Sequence, residues 1–539
     1  MRTRATIHAV VARAAALAAV VASLVAGPVP AQTDVLWRHT ISKTIKLTTL
    51  DAKGHLLVFT DGGITALDPD SVSQAWQYST GESIKYFNSL WTGTLLVGAG
   101  GTLAAIDPGT GQPAWRRTNL PDITKTWIDI DDGDWSAILQ TGNGFAVLDL
   151  HTGATMWDST ALPPKTVVRE FLRLRDLNLL LLIAKTTASE AALLGVTMDS
   201  GSVRWSDPAM FKSALKFKRV QGVEYAVVHS PITLPDSTLV LYFSTEGPLR
   251  VNPRSGAVLW RSTALTGLPV PTSRDGYPRS RVLDSLLIVP TEKRLVALEF
   301  ATGRLRWSTA GEFPDRPGWL TTRSSGIGTG SLRGSNPFVS VLGTDGMRRR
   351  PTDWHVADDA GILVLGDTLF LSNADTLYAI PLETGTERRL APIGFQGDES
   401  PKDIDSLEGG GLILMGRQNL ARINRDGTVG YRRYYHAPGA SFWEQLGAAA
   451  NFVNAPSYAW SARLQEHYFI FTAQTDTAGK KGFYLVMLGR QDGKELGRMP
   501  FNERNPAFVI DDRSGTVYEV KGKEIIARRF PGMQAPKPE

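Results

Sequence analysis

The sequence predicts an all-β chain folded as a single closed β-propeller of about eight, and up to ten, four-stranded antiparallel blades. Three observations predict it. A short unit ending in tryptophan recurs at one fixed offset, β-rich runs precede its copies, and no long helical periodicity lies between them. Alternating strand–helix units are therefore excluded in favour of antiparallel sheets.

The N-terminus sets the expected compartment. Arg2, Arg4 and Arg13 precede an apolar run from Ala14 to Ala26, and Val29 and Ala31 frame a cleavage point after Ala31. This is the layout of a secretory signal peptide over residues 1–31. The run is shorter than the ~20 residues needed to cross a bilayer, and Gly27, Pro28 and Pro30 end it. The expected location is periplasmic or secreted, with no integral membrane segment after cleavage. The chain holds no cysteine, so neither an acylated cysteine nor a disulfide can form, and burial of apolar surface must hold the fold together. Net charge is +5; without the three arginines of residues 1–31, which hold no acid, it is +2. Such a near-neutral body with interspersed signs carries no footprint for nucleic acid or anionic lipid.

The repeat is fullest at Ala105-Ile106-Asp107-Pro108-Gly109-Thr110-Gly111-Gln112-Pro113-Ala114-Trp115. The same eight-residue step to tryptophan runs from Asp68 to Trp76, from Asp149 through Gly153 to Trp157, and from Thr197 through Gly201 to Trp205. It returns from Asn252 through Gly256 to Trp260 and from Glu299 through Gly303 to Trp307. The carboxylate or amide accepts backbone N–H bonds of the turn, glycine supplies a positive φ, and tryptophan offers a large apolar face to neighbouring sheets. The Asp68 copy has Val72 where the others have glycine, so its turn should be of a weaker or different type.

Strands are expected at Leu56-Leu57-Val58-Phe59, Leu95-Leu96-Val97, Ala137-Ile138-Leu139, Leu239-Val240-Leu241 and Leu287-Ile288-Val289. Degenerate copies follow: Thr384-Gly385 with Arg389 in the tryptophan position, Asp426-Gly427 with Tyr431, Asp492-Gly493, and one hidden near Val339–Gly346. Val35-Leu36-Trp37-Arg38 matches Val258-Leu259-Trp260-Arg261 but lacks preceding strands. It is expected to complete a sheet begun by the C-terminal segment, sealing edges that would otherwise be open. The propeller should span 32–530, ahead of a flexible tail at 531–539.

The pattern Ala-x-Asp-x-x-Thr-Gly-x-x-x-Trp resembles the tryptophan-docking repeat of quinoprotein alcohol dehydrogenases and of the related PQQ-like propellers, the branch that includes the outer-membrane assembly factor BamB. The resemblance spans 35 to about 530, strongly up to Trp307 and weakly beyond. It implies the propeller fold. For the catalytic branch it further implies PQQ with calcium in a central funnel, a vicinal disulfide over the cofactor and an Asp base. This chain has no cysteine, and no Glu/Asn/Asp trio maps onto the calcium ligands. BamB-like proteins are normally lipid-anchored, a second departure.

Other candidates for chemistry have plainer readings. Asp129-Ile130-Asp131-Asp132-Gly133-Asp134 lacks the alternation of a calcium loop and reads as a hairpin turn at Asp132-Gly133. The eight histidines show no metal-ligand spacing. Gly326-Ile327-Gly328-Thr329-Gly330 is not a phosphate loop, because no helix follows it. Two segments read as insertions. Residues 312–355, with Arg348-Arg349-Arg350, read as a solvated loop. Residues 434–467 combine helical spacing after Ser441 with Phe442, Trp443, Tyr458 and Trp460, a candidate partner surface. The expected function is a non-enzymatic, exported scaffold for protein, peptide or ligand partners, which the resemblance implies acts in cell-envelope assembly, without catalytic or metal-binding residues; the alternative is a PQQ- and calcium-dependent oxidoreductase.

Overall fold

In a computed structural model of the chain, the structure describes residues 35–51, 53–90, 93–120, 126–130, 135–141, 144–185, 191–207, 218–220, 223–225, 231–243, 247–265, 280–357, 360–396, 399–416, 418–435, 459–460, 467–475, 481–503, 506–511 and 514–531. Among these the fold is all-β: two single-turn 3₁₀ helices, Ser159–Ala161 and Arg175–Leu177, are the exceptions, and there is no α-helix. The described strands form eleven four-stranded antiparallel sheets and one two-stranded hairpin, Lys218–Val220 with Val223–Tyr225.

Burial explains why these sequences become blades. In blade 1 (45–79) the two central strands, Leu56–Thr60 and Gly63–Leu67, are buried almost throughout, because neighbouring sheets cover both faces. They accordingly read as unbroken apolar runs. The outer strand Gln74–Ser79 buries alternate residues, Trp76 and Tyr78, and exposes the rest. Blade 2 (84–117), blade 3 (126–158), blade 4 (167–207), blade 5 (232–261), blade 6 (281–308), blade 7 (319–355), blade 8 (362–392) and blade 9 (403–434) repeat this meander. First strands of neighbouring blades approach one another. Thr322 Oγ1 donates to the Val282 carbonyl at 3.2 Å, and Gly361 N to the Pro401 carbonyl at 2.9 Å. The first strand of a blade is thus its inner one and the fourth its outer one.

The chain divides into two compact units, Lys43–Tyr434, and Met1–Ser42 with Tyr435–Glu539. The larger holds blades 1–9. The smaller holds blade 10 (459–501) and blade 11, in which Ala507–Asp511, Thr516–Lys521 and Glu524–Arg529 are joined by Val35–Thr40. The N-terminal strand pairs antiparallel with Glu524–Arg529, Trp37 opposite Ala527 and Thr40 opposite Glu524, as its isolated tryptophan motif predicted. Arg528 pairs with the buried carboxylate of Glu519 within blade 11, and its packing over the Phe501 ring at 4.8 Å ties blade 11 to blade 10.

Two expectations need correction. Eleven blades are present among the described residues instead of eight to ten, because the degenerate repeats each build a whole sheet. Residues 312–355 are also not a solvated insertion: 319–355 form blade 7, whose strand Gly326–Ser331 is buried end to end. That strand was hidden by its glycines. A β-carbon on Gly326 would meet the Leu382 carbonyl of blade 8, so neighbouring backbone occupies the space a side chain would fill. The hidden copy near Val339–Gly346 is the third strand and following turn of this blade.

Candidate functional site

The residues singled out by the repeat assemble at the junctions between blades. Each turn is built by its Asp-position side chain. Asp107 Oδ1 accepts from Gly109 N at 2.8 Å and Thr110 N at 2.9 Å; Asp149 Oδ1 accepts from His151 N and Thr152 N, both at 2.8 Å. Asp68 accepts from Asp70 N and Asn252 from Arg254 N, each at 2.9 Å. Burial alone would raise the Asp107 and Asp149 carboxyls, but the turn N–H groups and threonine hydroxyls outweigh it and hold both below the usual range. For Asp68 the Asp70 N–H is the leading cause of the same lowering.

Glycine in these turns serves two ends. Gly111 has φ +69°, which closes the hairpin, and it also lies flat against Trp76 of the preceding blade. Trp76 Nε1 donates to the Pro108 carbonyl in the same turn at 2.7 Å. The arrangement repeats blade by blade. Trp115 docks on Gly153 and the Leu150 carbonyl (2.7 Å), and Trp157 on Gly201 and the Met198 carbonyl (2.8 Å). Trp205 docks on Gly256 and Pro253 (2.8 Å), Trp260 on Gly303 and Phe300 (2.8 Å), and Trp307 on Gly346 and Thr344 (3.0 Å). Six junctions, from blade 1 to blade 7, share one latch. The eight-residue step seen in the sequence is therefore not one contact: the tryptophan of each copy meets the glycine of the next.

Beyond blade 7 the latch changes chemistry. Arg349, in place of tryptophan, lays its β-carbon over Gly385 of blade 8. Arg350 Nη1 donates to Glu387 Oε2 at 2.6 Å, its guanidinium lies 4.9 Å from the Trp354 ring centre, and Trp354 Nε1 donates to the same carboxylate. Arg348 reaches the carbonyls of Ala310 (2.6 Å) and Glu312 (3.1 Å) and covers Phe313. The three-arginine run is thus committed to packing.

Buried arginines, not singled out from sequence, reinforce two of these same junctions. Arg250 donates through Nε to Thr238 Oγ1 and through Nη1 to the Phe300 carbonyl, both at 2.8 Å, and pairs with Asp236. Arg173 on blade 4 binds Asp129 Oδ2 at 3.0 Å and the Ser136 carbonyl at 3.1 Å on blade 3. The signal for Arg250 was available: an arginine between Leu249 and Val251 in an apolar strand has to find internal acceptors.

Asp131–Asp134 lie outside the described residues, between paired strands Thr126–Asp129 and Ser136–Thr141. Phe442, Trp443 and Tyr458, the expected helix after Ser441, residues 1–31 and the tail from 532 also lie outside them. Trp460 falls on the first strand of blade 10, opposite Phe469. Among the described residues no three His, Asp or Glu side chains converge as a metal-binding group, and no helix is long and apolar enough to cross a membrane. The sequence holds no cysteine, so no vicinal disulfide can form.

Residues 29–121 and 60–230 match the family model described as outer membrane protein assembly factor BamB. No curated protein matches the chain significantly. Among solved structures the chain is similar to BamB from Moraxella catarrhalis (14% identity over 74% of this chain and 98% of that one, TM-score 0.26). It is similar also to a europium-containing methanol dehydrogenase (11%, 80% and 91%, TM-score 0.30) and to the dihydro-heme d1 dehydrogenase NirN (10%, 68% and 80%, TM-score 0.35).

Proposed function

We propose, from the match of residues 29–121 and 60–230 to that family model and from its PQQ-like propeller repeats, that the chain is a non-enzymatic binding scaffold, exported and engaged with protein or peptide partners in assembly at the cell envelope. One observation carries the reading: the tryptophans, turn carboxylates and arginines that stand out in the repeats are engaged in holding blades together. The partner surface is assigned to the aromatic segment around Phe442, Trp443, Tyr458 and Trp460, whose side chains have the character of interface anchors. The description of the matched family as an assembly factor supports the envelope role.

The test is a direct competition with the quinoprotein reading. Purified chain is incubated with PQQ and Ca²⁺, desalted, and assayed for a retained chromophore and dye-linked alcohol oxidation. The scaffold reading expects neither. A stoichiometric chromophore with turnover would overturn it. In parallel, Trp443→Ala with Tyr458→Ala should reduce cross-linking to envelope proteins in intact cells while leaving the thermal transition unchanged.

A further inference from the structure

The junction between blades 7 and 8 departs from the six before it, and the departure lies at its outer edge. Deeper in, Val339, Val341, Leu369, Leu371 and Ile380 form an apolar cluster across the two sheets, as at other junctions. The outer latch is different in kind. In blades 1–3 the latching indoles are 4–8% exposed, and their contact is apolar burial plus one hydrogen bond to a carbonyl. Such a contact does not respond to salt. At blade 7 the latch is the Arg350–Glu387 ion pair with Trp354, and its charged side chains are 38% and 40% exposed. An ion pair this open to water is screened over the range where the Debye length shrinks from ~14 Å at 0.05 M to ~4 Å at 0.5 M.

Blade 8 is held on its other side by bonds of another type. Arg432 of blade 9 donates to the Ile393 (2.5 Å) and Pro392 (2.7 Å) carbonyls, and Ser372 Oγ donates to the Pro401 carbonyl at 3.1 Å. These have neutral acceptors, and the Ser372 bond is buried. The other ion pair described between two blades of the larger unit, Arg173 with Asp129, is more sheltered, its side chains 4% and 30% exposed.

We propose that the outer edge of the blade 7–blade 8 junction is a salt-responsive latch, in which Glu387 clamps Arg350 and Trp354 and whose loosening frees the strands Trp354–His355 and Arg388–Pro392. Loosening uncovers the Trp354 ring and the turn at Gly385 while the apolar cluster beneath stays closed. The latch is independent of what the aromatic segment binds.

Hydrogen exchange of the full chain, read by mass spectrometry at 0.05 and 0.5 M NaCl, tests this. Peptides covering 348–357 and 383–392 should exchange about 2- to 5-fold faster at high salt, the range a solvent-exposed ion pair supplies. Peptides covering the latches of Trp115 and Trp260 should not change. Glu387→Gln should give the fast rate at low salt and abolish the salt response. Trp260→Ala should quicken exchange around Phe300–Gly303 equally at both salts. Equal salt response at the Trp115 latch, or a full salt response retained in Glu387→Gln, would overturn the proposal.

Discussion

A β-carbon on Gly111 would lie 2.5 Å from Cε3 of Trp76, closer than packed atoms allow. Gly111→Ala must therefore shift the indole and also hold alanine at φ +69°. The expected loss is about 2–4 kcal/mol, from overpacking and left-handed strain together. Gly54→Ala is the control: φ is +89° and nothing lies within 4 Å, so only the strain remains, about 1–2 kcal/mol. Denaturant midpoints of the two variants should differ in that order.

Val72 gives the converse experiment. It occupies the glycine position of the first turn with φ 58°, and its N–H still closes onto the Asp68 carbonyl at 3.0 Å. The turn expected to be of a different type is the same type, held in a conformation that a β-branched residue resists. Val72→Gly should raise stability by about 0.5–1 kcal/mol, strain relief exceeding the added freedom of the unfolded chain. An unchanged or lowered midpoint would show that the valine side chain contributes more than its strain.

The sequence showed the strands and turns of blades 1–6 because each obeys local rules: apolar central runs, an Asx turn, a positive-φ glycine. Blade number was not legible. Arg389 and Tyr431 stand where a tryptophan was sought, and the glycines of Gly326–Ser331 look like loop residues until a neighbouring backbone is seen against them. The latch itself was half legible: both partners were named and the indole was expected to face neighbouring sheets, but nothing local says which glycine it meets. Only tertiary structure shows that Trp76 belongs with Gly111.

Acid should weaken these turns. The folded-state carboxyls of Asp68, Asp107 and Asp149 lie below the ordinary value of 3.8. Each contributes stability that is present above that value and is lost as pH falls through the lowered folded-state value. The triple change to Asn keeps an acceptor at each turn, as Asn252 does in blade 5. It should flatten the fall in unfolding midpoint below about pH 4, the ordinary carboxylate range. An undiminished acid slope would place the acid-sensitive groups elsewhere.

Arg250→Met tests the buried braces. It removes the donors to Thr238, Asp236 and the Phe300 carbonyl, leaving that carbonyl with Trp260 Nε1 alone among these side chains. A loss of about 2–4 kcal/mol is expected, since charged hydrogen bonds are removed and buried acceptors are left behind. Thermal unfolding reads it directly.

The pairing of Val35–Thr40 with Glu524–Arg529 sets a timetable. Arg38 and Glu524, joined at 3.1 Å, are 486 residues apart in the chain. At about 5–20 residues per second, a ribosome needs roughly 25–100 s to go from one to the other. For that whole interval the first strand made has no partner, and blade 11 cannot begin until the last strands emerge. The molecule is therefore unable to finish folding ahead of its own synthesis, which leaves a nascent chain time to be handled while one of its blades is still open.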